Sequence, residues 1–171
     1  MPPVSPHPSP VTRTGIGYDS HRFSPGGPLI LGGIRIDVDF SLAGHSDGDA
    51  VAHAITDAVL GAAGLGDIGE MFPDDDPANR GANSLEMLRA AVKRAQQAGW
   101  RVVNVDVTVV AETPRLAPHR NAMRGSLAEA LGVTMADVMV KGKSNERMGW
   151  IGRGEGLAVI AVASLATAAS D

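Results

Sequence analysis

The clearest periodicity in the chain is of two: Val103, Val105, Val107 and Val109 alternate with Asn104, Asp106, Thr108 and Val110, which predicts a strand. Upstream, Thr12 to Tyr18 and Leu29 to Ile36 are short β-branched and apolar stretches separated by Ser24-Pro-Gly-Gly-Pro28. They predict a strand, a tight reversal and a second strand, leaving Asp19, His21 and Arg22 in a loop at the end of the first. Ser46 and Asp49 approximate a capping box ahead of Ala50-Val51-Ala52-His53-Ala54-Ile55, so a helix is expected there, with Gly61 and Gly64 marking its exit. Asn83 or Ser84 opens a second helix through Leu85, Leu88, Val92 and Ala95, stopped by Gly99. Helical spacing returns from Pro118 to Leu131 through Met123, Leu127 and Leu131, with Gly132 as its end. Val138 to Val140 reads as a short strand. Leu157 to Leu165 is apolar and Ala-rich, and its β-branched Val159, Ile160 and Val162 favour a buried strand.

Pro and Ser crowd Pro2 to Pro10, a density that blocks both helix and ladder, so residues 1–11 read as a flexible Pro-rich extension. Residues 12–171 read as one domain without internal repeats; a chain of 171 residues, 44% hydrophobic, buries one core and not two. Fifteen Lys and Arg stand against 19 Asp and Glu, a net charge of -4, so no broad positive field attracts nucleic acid. A local basic cluster still suffices for a small phosphorylated ligand. Cysteine is absent, which leaves His and carboxylates as metal ligands and is consistent with a cytoplasmic setting. No apolar run approaches the roughly 18 residues of a membrane span, so no membrane role is expected.

Three segments carry candidate chemistry. Asp19 and His21 alternate at a strand end and so point to one side, where His53 from the following helix can complete a metal set with an open position. Asp49 and Asp57 lie four residues either side of His53, placed to orient its imidazole; an ordinary solvated polar stripe has the same pattern. Asp67 to Pro77 is an acidic, turn-rich loop, suited either to solvent or to sugar hydroxyls. Lys141-Gly-Lys143-Ser144-Asn145-Glu146, followed by the glycine-rich 149–156, has the parts of a diphosphate cradle but matches neither the Walker pattern nor the dinucleotide fingerprint.

Taken in order, GIGYDSHRF (15–23), LGG (31–33), GHSDGDAVAHAITDAVLGAAGLGDIGEMFPDDDP (44–77), NVDVTVVAETPRLAPH (104–119) and ERMGWIGRGEG (146–156) resemble the cyclodiphosphate synthase family of the non-mevalonate isoprenoid pathway. The likeness runs from about Thr12 to Leu165. It implies an α/β (α+β) single domain, a mixed sheet packed by helices on one face, assembling into a trimeric β-prism with active sites between subunits. It also implies the reaction: 4-diphosphocytidyl-2-C-methyl-D-erythritol 2-phosphate is cyclised to 2-C-methyl-D-erythritol 2,4-cyclodiphosphate and CMP is released. On the residues that match, Asp19, His21 and His53 hold a divalent ion, zinc by preference, and Glu146 neighbours a second, magnesium or manganese, at the substrate diphosphate. His45 and Ser144 stabilise the transition state. His45 and Ser46 also sit by the methylerythritol phosphate with Asp74 and Asp76 in the loop beside it, Asp67 and Gly69 meet the sugar-like hydroxyls, one of them the cytidine ribose, and Ile68 and Phe72 are further substrate contacts. Ala111, Arg115, Leu116 and Ala117 surround cytosine and its phosphate from the adjacent subunit, Lys143 and Asn145 line the diphosphate, and Trp150 and Arg153 lie towards the trimer axis.

The chain departs from the expected family pattern at Arg115, where Lys is commoner, at Gly142 (Ala), Lys143 and Ser144 (Thr) and Trp150 (Phe). Arg keeps the charge of Lys with a different donor geometry, and Lys143 is the least conservative change. Two other readings share these residues: a zinc phosphohydrolase using water as nucleophile, and a cytidine nucleotide sensor without turnover.

Overall fold

The computed structural model describes residues 11–44, 46–73 and 75–168, so all of the expected extension except Val11 lies outside the described residues. Five strands form the main sheet in the order β4-β1-β7-β5-β6: β1 (Thr12–Pro25), β4 (Phe40–Leu42), β5 (Trp100–Val110), β6 (Val138–Lys143) and β7 (Gly156–Thr167). Pairing is antiparallel except between β5 and β6, which makes the sheet mixed. A separate hairpin comprises β2 (Leu29–Leu31) and β3 (Ile34–Ile36).

Asp19, His21 and Arg22, expected in a loop, lie within β1. Their backbones continue the ladder to β7, Asp19 facing Val159 and Arg22 facing Gly156. Polar side chains concealed the strand, but pairing uses only the backbone. Likewise the stretch 29–36 is two strands rather than one, because Gly32 and Gly33 adopt positive φ of 61° and 74°, the conformation a two-residue hairpin turn requires.

Helices α1 (Ala50–Ala63), α3 (Ser84–Gln97) and α4 (Arg120–Leu131) cover one face of the sheet, with short α2 (Ile68–Met71) and α5 (Gly149–Gly152) between elements. The N-cap of α1 is Asp49 rather than Ser46: its carboxylate accepts N–H bonds from Val51 and Ala52, and from Gly32 and Gly33 of the hairpin turn. Asp49 thereby welds the hairpin to the helix start, although burial pushes its carboxyl above the usual range against the pull of those donors.

Contact between α1 and β1 is backbone to backbone. A Cβ on Gly15 or Gly17 would collide with the carbonyl oxygens of Ala58 and Ala54, so only glycine permits this approach. Leu29, Leu31, Ile55, Leu88, Met123, Leu127, Leu157 and Leu165 fill the space between helices and sheet. The opposite sheet face, uncovered among the described residues, carries an apolar patch: Ile16 is 71% exposed, Tyr18 57%, Met139 46% and Ile160 40%. Tyr18 pairs with Ile160 and Ile16 with Val162, so these side chains are contiguous. Among the described residues no helix is long and apolar enough to cross a membrane.

Candidate functional site

Alternation along β1 sends Ile16 and Tyr18 to the uncovered face and Gly17, Asp19 and His21 towards α1. Because the glycines let α1 settle onto β1, His53 of that helix reaches Asp19 directly. Asp19 Oδ2 lies 2.9 Å from His21 Nε2 and 3.1 Å from His53 Nδ1. The two imidazole centroids are 5.6 Å apart. One ligand atom from each residue falls within 4.8 Å of the others, a spacing that one tetrahedral ion can bridge, and an O/N/N donor set suits zinc. Burial acts to raise the Asp19 pKa, but hydrogen bonds and charge from His21 and His53 outweigh it and hold it at about 2. The hydrogen bond to Asp19 raises the His21 pKa.

The remaining ring nitrogens are also engaged. His21 Nδ1–H donates to the Ala43 carbonyl at 2.6 Å. His53 Nε2 lies 2.9 Å from Ser84 Oγ and 3.1 Å from Ser46 Oγ. The expected orienting carboxylates do not serve: Asp49 is spent on capping, and Asp57 accepts the Ile68 N–H at 2.8 Å. Asp57 instead tethers α2 to α1, which brings Ile68, Gly69 and Phe72 over the cluster.

These residues enclose a cavity of about 240 Å³ lined by Asp19, His21, Gly44, Ser46, His53, Ile68, Gly69, Phe72, Asn79 and Met87. Asp67 caps α2 by accepting the Glu70 N–H and does not line it. Asp76 starts the turn at 77–79 and is exposed. His45 and Asp74 lie outside the described residues.

A second pocket of about 380 Å³ opens at the ends of β5 and β6, where Ala111, Arg115, Leu116, Ala117, Lys143 and Ser144 meet. Arg120 and Glu112 join them. Three cations against one carboxylate favour an anionic occupant. Glu112 Oε1 accepts the N–H groups of Asn145 and Arg147, each at 3.0 Å, and ties the 111–117 segment to the loop after β6. In that loop Ser144 Oγ–H donates to Glu146 Oε1 at 2.8 Å, and the Asn145 amide donates to the Met148 carbonyl. Trp150 borders a shallow surface pocket with Arg22 and Glu155, and Arg153 pairs with Glu155 at 2.6 Å.

The two main pockets share no residue. They nevertheless lie at the same end of the sheet, since Val159 of β7 pairs with Asp19 on one side and Val109 on the other. Asp47, Ser84, Glu112 and Arg120 carried no signal in the sequence beyond turn, helix start and scattered charge.

The YgbB family model matches residues 12–166. A 2-C-methyl-D-erythritol 2,4-cyclodiphosphate synthase of Gemmatimonas aurantiaca is 64% identical over 155 residues, 91% of this chain and 93% of its own. The bifunctional IspDF of Campylobacter jejuni superposes with a TM-score of 0.90 at 42% identity, over 94% of this chain and 43% of that one. IspF of Plasmodium falciparum, in a CDP complex, superposes with a TM-score of 0.81 at 32% identity, over 92% of this chain and 97% of that one.

Proposed function

This chain belongs to the YgbB family, and from that membership we infer that it is a phosphorus-oxygen lyase cyclising 4-diphosphocytidyl-2-C-methyl-D-erythritol 2-phosphate to the 2,4-cyclodiphosphate and CMP. The observation that carries the reading is the convergence of Asp19, His21 and His53 on one point, at the same sheet end as a cationic pocket.

In the reaction an oxygen of the substrate's own 2-phosphate bonds to the β-phosphorus of the cytidine diphosphate, and the bond to the α-phosphate oxygen breaks as CMP departs. The nucleophile arrives anionic, so the protein supplies neither nucleophile nor essential base; positioning and charge neutralisation carry the rate. Asp19, His21 and His53 would hold zinc and Glu146 would neighbour magnesium or manganese, and the ions would supply charge neutralisation at the phosphoryl oxygens. Ser46 sits by the methylerythritol phosphate with His45, Asp74 and Asp76, Asp67 and Gly69 meet the sugar-like hydroxyls, the cytidine ribose among them, Ile68 and Phe72 are further substrate contacts, and His45 also stabilises the transition state. Ala111, Leu116 and Ala117 shape the cytosine end, Arg115 and Lys143 bind its phosphates, and Ser144 donates to the reacting diphosphate.

The complete site forms between subunits of a homotrimer. Two pockets without a common residue, and an apolar patch on the open sheet face, support this arrangement. Trp150 and Arg153 then turn towards the threefold axis. Phosphorus NMR of the cytidine-linked substrate with protein and magnesium tests the reaction: cyclic diphosphate with CMP is expected, and an acyclic phosphate would replace the reading with hydrolysis.

A further inference from the structure

We propose that Ser84 and Asp47 form a relay that fixes the tautomer and ring angle of His53, making both of them positioning residues for the metal set. Ser84, the first residue of α3, is completely buried beside His53, where water does not compete for its hydroxyl. Its Oγ–H donates to Asp47 Oδ1, and its backbone N–H donates to Asp47 Oδ2 at 3.2 Å. A hydroxyl has one proton. Given to Asp47, it leaves Ser84 Oγ to accept from His53, 2.9 Å away, so Nε2 carries the proton. Nδ1, 3.1 Å from Asp19 Oδ2, is then the nitrogen whose lone pair an ion shared with Asp19 would take.

Ser46 Oγ, the other neighbour of Nε2, lies farther off at 3.1 Å and itself accepts the Gly48 N–H, so it supplements the relay without replacing it. Asp47 is held from two sides. Its backbone N–H donates to the Ala82 carbonyl, and its Oδ1 also accepts the Asp49 N–H. The α1 start, the loop before it and the α3 start are thus joined through one imidazole. A hydroxyl between carboxylate and imidazole keeps full negative charge one atom farther from the ion than a direct carboxylate–histidine pair does.

The inference rests on the reading that Asp19, His21 and His53 hold a metal, but part of its test does not. In metal-free protein with 15N-labelled histidine, at a pH where the imidazoles are neutral, the Nε2–H fraction of His53 should be larger in the parent than in Ser84→Ala, the Asp19 carboxylate favouring Nδ1–H in both. Zinc affinity, read by competition with a chromophoric chelator, should fall about 10- to 100-fold in Ser84→Ala. It should fall less in Asp47→Asn, and the double variant should be no weaker than Ser84→Ala alone, because the second change acts through the first. Asp47→Asn keeps its backbone contacts and carries the test if Ser84→Ala does not fold. Zinc affinity within twofold of the parent, additive losses, or an unchanged tautomer would each overturn the relay. Zinc retained by His53→Ala would instead overturn the metal reading.

Discussion

The backbone N–H of Arg147 donates to Glu112 Oε1 at 3.0 Å, and Arg147 is one of two consecutive non-glycine residues, with Glu146, that hold positive φ, 59° and 50°. Left-handed backbone costs an L-residue roughly 1 to 2 kcal/mol. The turn after β6 persists because Glu112 accepts from both of its ends. Glu112→Ala should free the Asn145 and Arg147 amides and cost about 1 kcal/mol, while Glu112→Gln, which keeps an acceptor oxygen, should cost less. Amide hydrogen exchange at those two residues checks it; unchanged protection in the Ala variant would mean the turn holds itself.

His53→Ala should abolish zinc retention and turnover yet leave a folded protein, since the imidazole faces a cavity rather than the apolar core. Metal content after gel filtration, alongside circular dichroism, reads both quantities.

In metal-free protein, stability should peak between the ranges in which Asp19 and His21 titrate. Asp19 has its pKa lowered to about 2 from an ordinary 3.8, so its contribution is present above 3.8 and disappears as pH falls towards 2. His21 has its pKa raised from 6.5, so its contribution is complete below 6.5 and is lost as pH rises through the folded value. Zinc must displace the His21 proton, so its affinity should climb with pH and level off above that value. Urea unfolding and zinc titration across pH, each repeated with His21→Ala, separate the two trends.

Two glycine substitutions should move stability in opposite directions. Gly17→Ala drives a methyl into the Ala54 carbonyl and should cost about 3 kcal/mol or more. Gly61→Ala lies within α1 with nothing near the added methyl and should gain about 0.5 to 1 kcal/mol. Thermal denaturation of both variants is the measurement.

Lys143→Thr should weaken CDP binding about tenfold, because Lys143 lines the cationic pocket and an ammonium–phosphate contact contributes roughly 1.5 to 3 kcal/mol. The parent should also lose CDP affinity more steeply with salt. Equal affinities and equal salt slopes would place the Lys143 ammonium in water.

Much of this was legible in the chain. Valine alternation located β5, Asn83 and Gly99 bracketed α3, and β-branched residues identified β7 as a strand. The Asp19, His21 and His53 set was readable because alternation on a strand determines side-chain direction wherever the strand ends. What escaped was carried by backbone pairing or by residues distant in sequence. The polar half of β1 looks like a loop until β7 is beside it, and β4 is three residues whose only cue is their partner. Asp49 and Asp57 sat at suitable helical spacing from His53, yet nearby N–H groups claimed both. Ser84 contacts His53 across 31 residues, a distance no local pattern spans.

The glycine contact between α1 and β1 has a mechanical consequence for the site. Between most helices and sheets a layer of side chains acts as a compliant gasket, so one altered methyl shifts the helix and whatever it carries. At Gly15 and Gly17 no gasket exists: main chain rests on main chain, and the offset from Asp19 to His53 is a bearing surface rather than a packing compromise. Changes to Leu88, Met123 or Leu127 should therefore soften the protein well before they detune the spacing of its metal ligands.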